Sequence, residues 1–166
     1  MAQIRRAGPR DAEGLAFVHI RTWRIAYAGL LPAETLARLS LPARTRRWER
    51  ILREDANPTW VAVEGGRIVG FASSGRGRDA EPPADRELYA LYLDPDHHGS
   101  GIADDLIDAA VGEAAASLWV LAGNERAIRF YGKHGFALDG AEKVEQAADG
   151  TPMHEQRMVR RGRVAD

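Results

Sequence analysis

Between residues 86 and 133 the chain changes twice from a strand-like pattern to a helix-like one. The apolar run ELYALYL (87–93) leads through Gly99 and Gly101 to a helical periodicity beginning at Ile102, and a second run, LWVLAGN (118–124), leads to another. Two strands joined by a helix pair in parallel, because the crossover returns the chain to the end of the sheet where it started. This order predicts an α/β protein with a parallel strand pair at its centre.

The rest of the chain indicates hairpins and flanking helices. Gly65-Gly66 and Asp149-Gly150 each lie between two β-rich runs, as expected of tight hairpin turns. The predicted elements are a strand at 3–7, a helix from Pro9 to about Leu30, a second helical region from Pro32 to about Arg53, and hairpins at 59–74 and 141–159. We expect one α/β domain over residues 1–166, with a mixed central sheet flanked by helices.

The periodicity of apolar residues predicts which side chains face the core in two segments, 43–55 and 87–93. In the arginine-rich run 43–55, helical spacing turns Trp48, Ile51 and Leu52 inward and the arginines toward solvent. In 87–93, strict alternation places side chains on two faces. One face is expected to carry Leu88, Ala90 and Tyr92, and the other Glu87, Tyr89, Leu91 and Leu93.

Composition excludes several classes of partner and site. The net charge is −1, and no run approaches the roughly 20 apolar residues of a membrane span, so we expect neither nucleic acid nor a membrane as partner. The N-terminus lacks the apolar segment of a secretory signal, which makes a cytoplasmic location the default. The chain has no cysteine, and His97-His98 has no spaced set of further ligands, so we expect no metal site.

The glycine corner at 99–101 has two interpretations. A strand that ends at a glycine turn and opens a helix points free backbone N–H groups and the helix dipole at one spot, which favours a bound anion. Asp104 and Asp105 in the first helical turn would repel a phosphate near them, so the anion would lie on the loop side. The alternative is a tight turn that needs glycine only for its positive φ. Both interpretations remain open at this stage.

Two motifs carry a family resemblance. The stretch from His98 to Ala103 resembles the Q/R-x-x-G-x-G/A signature of the GNAT acyl-CoA N-acyltransferases, with His98 in place of Gln or Arg. Downstream, NERAIRFYGKHGF is similar to the second motif of the family, N-x-x-A-x-x-F-Y-x-x-x-G-F. The matching residues are Asn124, Ala127, Phe130, Tyr131, Gly135 and Phe136.

The resemblance implies acetyl-CoA as the cofactor and a location for it. Backbone amides of the loop would hold the pyrophosphate, namely those of His98, Gly99, Ser100, Gly101, Ile102 and Ala103. The pantetheine arm would pair with the backbone of Leu91, Tyr92 and Leu93, where the two parallel strands would splay apart. The second motif adds Asn124 and Ala127, although Asn124 is also a good helix N-cap. Arg129 and Lys133 would either meet the 3′-phosphate or lie on a solvated face.

The resemblance also implies an N-acetyltransferase that acts on a primary amine. Glu87 is the expected base, with a solvent-facing charge as the alternative, and an apolar cleft would raise its pKa. Tyr131 is the expected proton donor to the thiolate, with packing beside Phe130 as the alternative. Trp23 and Tyr27 are expected to contact the acceptor, or else to belong to the core. A non-catalytic acyl-CoA-binding module of the same fold is the competing function, and a homodimer is an expectation from the family alone.

Overall fold

The computed structural model describes residues 1–162. Its strands are β1 (Gln3–Arg6), β2 (Thr59–Glu64), β3 (Arg67–Arg76), β4 (Arg86–Leu93), β5 (Ala116–Leu121), β6 (Ala137–Gln146) and β7 (Pro152–Arg160). Its α-helices are α1 (Ala12–Ala26), α2 (Ala33–Ala37), α3 (Leu41–Glu54), α4 (Ile102–Val111) and α5 (Glu125–Lys133), with short 3-10 turns at Pro9–Asp11 and Pro95–His97.

The seven strands form one mixed sheet in the order β1-β2-β3-β4-β5-β7-β6. Within the described residues, β4 and β5 are parallel and every other neighbouring pair is antiparallel. The predicted α/β class and the central parallel pair are therefore confirmed. Both predicted hairpins form, and β7 lies between β5 and β6, so the last hairpin extends the sheet on the β5 side.

Helices cover the sheet on both faces. On one face, Leu15 and Val18 of α1 pack with Trp48 of α3 against Phe71. On the other, the apolar stripe of α4 packs against Leu118 and neighbouring residues of the sheet. Each helix buries one stripe, as its hydrophobic periodicity predicts.

The predicted alternation along β4 is wrong at one end because the strand contains a bulge. Consecutive residues of β3 pair with Ala90 and Leu88, which leaves Tyr89 without a partner. The extra residue reverses the facing of everything before it. Leu88 therefore packs in the cluster under α4, whereas Ala90 and Tyr92 pack on the α1 side. By alternation from Leu88, Glu87 lies on the α1 side with Tyr92.

The first helix ends earlier than predicted. It stops at Ala26 instead of continuing to Leu30, because the following turn contains Gly29 in the left-handed region with φ of 82°. The N–H groups of Leu30 and Leu31 both donate to the Tyr27 carbonyl at 2.9 Å. The second helical region is divided into α2 and α3, and the Ser40 side chain caps the start of α3.

Candidate active site

The parallel pair separates partway along its length. β4 and β5 are paired only from Arg86–Ala116 to Leu88–Leu118, although β4 continues to Leu93 and β5 to Leu121. The backbone of β4 beyond Leu88 is therefore unpaired on its β5 side. An opening at the carboxyl ends of parallel strands is where sheets of this class bind ligands.

The glycine loop lies just beyond this opening. Gly99 and Gly101 have φ of 77° and 87°, so the tight-turn interpretation is sufficient to explain glycine at both positions. A Cβ at either one would meet open space, and Gly101 caps α4 without a side-chain hydrogen bond. Of the first-turn N–H groups of α4, that of Ile102 donates to Ser100 Oγ at 3.3 Å. The open space in front of the two glycines also suits an anion.

The charges around the loop are arranged differently from what the sequence suggests. Asp104 is held by His134 of the α5 terminus, with 2.7 Å between Oδ1 and Nε2. Partial desolvation and the nearby Arg126 guanidinium lower the pKa of His98. Sequence analysis missed Arg126, because its proximity to the loop depends on how α5 packs beside α4. Arg129 and Lys133 are exposed.

Asn124 begins α5 as its N-cap. Its Oδ1 accepts a hydrogen bond from the Ala127 N–H at 3.3 Å. This confirms the capping interpretation. Since the cap uses only the carbonyl oxygen, the amide donors of Asn124 are not needed by the helix.

Tyr131 of α5 is buried, with 8% of its surface exposed. Its ring packs on Phe130 and Phe136, with centroids 5.4 and 6.1 Å apart. Burial and the nearby Tyr92 hydroxyl raise the pKa of Tyr131, so the phenol keeps its proton at neutral pH. Tyr131 is therefore both a packing residue and a protonated group next to β4.

Glu87 is 2% exposed, so the solvent-facing interpretation of this residue is wrong. Its Oε1 accepts from the Arg78 backbone N–H at 3.0 Å, and its Oε2 accepts from the Arg78 guanidinium at 2.7 Å. The setting is therefore an ion pair between a buried carboxylate and a largely exposed arginine, and not the apolar cleft considered above. Arg78 lies in the loop before β4, and no local pattern marks it as a partner of Glu87.

Trp23 lies in the last turn of α1 and Tyr27 is the C-cap residue of that helix, with ring centroids 5.0 Å apart. Tyr27 is buried among Leu31, Leu36 and Leu121, so its core interpretation is correct. The buried Trp23 Nε1 lies near the Tyr92 hydroxyl, without a well-aligned hydrogen bond among the described residues. Burial and the Tyr92 hydroxyl raise the pKa of Tyr27, which places Tyr27 beside β4.

Arg44 contradicts the expectation that the α3 arginines face solvent. It is half-buried, and its guanidinium carbon lies 5.8 Å from the centre of the Trp23 ring. Arg44 shares its helix face with Trp48, four residues later. The same spacing that predicted the buried stripe includes position 44, and this signal was available in the sequence.

His19 packs inside an aromatic cluster on the α1 side. Its ring is stacked on Tyr92 with 5.0 Å between centroids, and Phe71 and Trp48 approach it edge-on. Burial, with Arg44 and Arg47 nearby, lowers the pKa of His19 from 6.5 to about 3. The folded protein therefore keeps this imidazole neutral.

This packing predicts acid sensitivity. Below pH 6.5 the unfolded chain binds a proton at His19 and the folded chain does not. The free energy of unfolding should therefore decrease as the pH is lowered below 6.5, by up to about 1.4 kcal/mol per pH unit for this group. Urea denaturation between about pH 7 and pH 5 should give a smaller loss for His19→Gln than for the parent protein. The exposed His154→Gln is the matched control, and an equal loss in all three proteins would contradict the prediction.

Comparison with known proteins is consistent with this geometry. A family model described as the Acetyltransferase (GNAT) family matches residues 22–136. The chain belongs to the GNAT family. This GNAT acetyltransferase is 36% identical over 145 residues to an uncharacterised N-acetyltransferase of Mycobacterium bovis. The alignment covers 83% of this chain and 90% of the relative.

Solved structures share the fold. PaiA N-acetyltransferase from Thermoplasma acidophilum, in complex with coenzyme A, aligns with a TM-score of 0.68 at 22% identity over 97% of this chain and 99% of that one. YncA from Salmonella typhimurium, with its cofactor acetyl-CoA, aligns with a TM-score of 0.65 at 18% identity over 100% of this chain and 96% of that one. Within residues 1–162 of this GNAT acetyltransferase, no helix is both long and apolar enough to cross a membrane.

Proposed function

We propose that this GNAT protein transfers the acetyl group of acetyl-CoA directly to a primary amine. The observation that carries the proposal is the opening between β4 and β5 beyond Leu88. The glycine loop lies at one end of this opening, and Tyr131 and Glu87 come from elements that border it. The coenzyme A and acetyl-CoA in the two solved relatives support the same assignment.

The chain has groups that fit the cofactor. The positive-φ glycines leave open space at the loop, where the amides of Gly99, Gly101 and Ala103 would hold the pyrophosphate. The other three amides of residues 98–103 already donate within the loop, to the Pro95 and His97 carbonyls and to Ser100 Oγ. Arg126 adds a cation near this loop. The unpaired β4 backbone from Leu91 to Leu93 would pair with the pantetheine arm, and Asn124 would add amide donors beside Ala127. When bound, acetyl-CoA supplies an acyl carbon activated as a thioester.

Each residue of the site has a separate role in the proposed acyl transfer. Glu87 would take a proton from the acceptor ammonium, directly or through water, so that the amine nitrogen can form its bond to the acyl carbon. A backbone N–H at Leu91 or Tyr92 would stabilise the charge that develops on the acyl oxygen. Tyr131 would donate its proton to the sulfur as the carbon–sulfur bond breaks, and the second proton lost by the newly bonded nitrogen would restore the phenol, directly or through water. Trp23 would form the wall on the acceptor side, with the buried Tyr27 packed against its ring.

Calorimetric titration with acetyl-CoA tests the cofactor site. Gly101→Ala should weaken binding about tenfold, or about 1.4 kcal/mol, because a Cβ would enter the space assigned to the pyrophosphate. Gly150→Ala is the matched control, since Gly150 also has positive φ with open space around it but lies in the β6–β7 turn. Both variants carry similar backbone strain. Equal acetyl-CoA affinity in the two variants, or no binding by the folded parent, would overturn the assignment.

A further inference from the structure

Arg44 is a half-buried cation with no carboxylate partner among the described residues. Arg5, Arg21, Arg78 and Arg157 each form an ion pair with a carboxylate, whereas Arg44 forms none among the described residues. It lies instead beside the Trp23 ring. Burial and the neighbouring Arg47 lower the pKa of Arg44, as expected of a guanidinium with no anion to stabilise it. A bound carboxylate would satisfy its planar set of donors.

Glu155 on β7 is a carboxylate that could bind the opposite charge. It is half-buried and pairs in register with Leu121 of β5 and Lys143 of β6. The Lys143 ammonium is directed to Glu145 at 3.3 Å and to the Trp119 ring at 4.4 Å. Glu155 makes no ion pair within residues 1–162, and burial raises its pKa. It is a carboxylate in a position to receive a cation.

The two charges lie on the same side of the sheet and border one aromatic surface. From Arg44 the surface runs across Trp23 to Tyr27, and Tyr27 packs on Leu121, which is opposite Glu155. Arg44 and Glu155 are both close enough to Tyr92 to shift its pKa, in opposite directions. Tyr92 is therefore close to both the Arg44 cation and the Glu155 carboxylate.

We propose that the acceptor is a small amino carboxylate, whose carboxylate group binds Arg44 and whose ammonium group lies against Glu155. The inference rests on the proposed transfer to an amine and names its substrate class. The ammonium end would lie near the proposed base, because Glu87 and Glu155 are close enough to interact electrostatically. A polyamine fits this surface less well, since a second cationic end would meet Arg44.

The direct test compares matched acceptors. The twenty common amino acids are assayed with acetyl-CoA, together with the carboxamide and the decarboxylated amine of each. All three forms offer a primary amine in nearly every case, and only the first carries the carboxylate. We expect kcat/KM at least about tenfold higher for the best amino acid than for its two neutral counterparts, the size of one charge-assisted hydrogen bond.

Single-residue variants test which side chains cause the preference for a carboxylate. Arg44→Met should raise KM for the amino acid about tenfold and leave KM for the carboxamide unchanged, because the carboxamide has no carboxylate to lose. Arg46→Met, an exposed arginine on the same helix, should change neither value. Glu155→Gln should raise KM for both acceptors, since both carry the ammonium group. Retained acetyl-CoA binding by each variant establishes that it is folded.

The outcomes separate the two proposals. Equal use of amino acids and neutral amines, turnover of no amino acid, or an Arg44→Met effect shared equally by acid and carboxamide would each overturn the amino carboxylate acceptor. In those cases acetyl-CoA binding would still stand in support of the transferase. If the folded protein fails to bind acetyl-CoA, the proposed function itself is overturned.

Discussion

Tyr131→Phe is expected to lower kcat about a hundredfold, the lower range for loss of a general acid. The variant removes only the hydroxyl, so the ring contacts with Phe130 and Phe136 are retained. Because burial keeps the phenol protonated, the parent enzyme has a proton available for the departing sulfur at neutral pH. The measurement is steady-state turnover with the best acceptor, together with calorimetric affinity for acetyl-CoA, which should be unchanged.

Tyr89→Phe is the matched control for this experiment. Tyr89 is a tyrosine of β4 whose hydroxyl donates to the Arg76 carbonyl, and it has no assigned role in the reaction, so its loss should leave kcat unchanged. If Tyr131→Phe turned over as fast as the parent, Tyr131 would be a packing residue. If the parent bound acetyl-CoA and acetylated no amine, the non-catalytic acyl-CoA-binding module would be the better description.

Glu87→Gln is expected to have the second large effect, a fall in kcat/KM of about a hundredfold near pH 7. Glutamine keeps the side-chain shape and one oxygen for the Arg78 N–H, but it cannot accept the ammonium proton. The deficit should narrow toward about pH 9.5, where more of an amine with a pKa near 10.4 is already deprotonated. A pH profile of parent and variant measures this directly.

A structural role for Glu87 predicts a different profile. If the carboxylate only holds Arg78 in place, the deficit would be the same at every pH, and the base assignment would be wrong. Asp11→Asn provides the control, because Asp11 is also a carboxylate that accepts from a backbone N–H and pairs with an arginine at 2.8 Å, but it lies in the 3-10 turn before α1. It should leave both kcat/KM and its pH profile unchanged.

Much of the fold could be predicted from local sequence patterns. The hairpin turns, the α4 stripe and the left-handed glycines at 99 and 101 depend on side-chain period and on φ, which are local properties. The motif around Asn124 and Tyr131 likewise has fixed local spacing, and the family match is consistent with it. The exceptions have local causes as well. A helix predicted through Leu30 stops at Ala26 because Gly29 makes a left-handed turn.

The side-chain environments of the site could not be predicted from local sequence. One extra residue at Tyr89 turned Glu87 to the α1 side, where it meets Arg78 from a loop with no recognisable pattern. The opening itself depends on where the pairing of β4 with β5 stops, and no single strand specifies its neighbour's register.

The sequence by itself determined the order of the elements, the glycine loop and the family, because each of these is encoded within short segments. Only the tertiary structure decided that Arg126 approaches His98, that Arg44 meets the ring of Trp23, and that Glu155 lies opposite Leu121. These contacts join residues far apart in the chain. Which of these groups meet is therefore a property of how helices and strands pack together, and no local spacing encodes it.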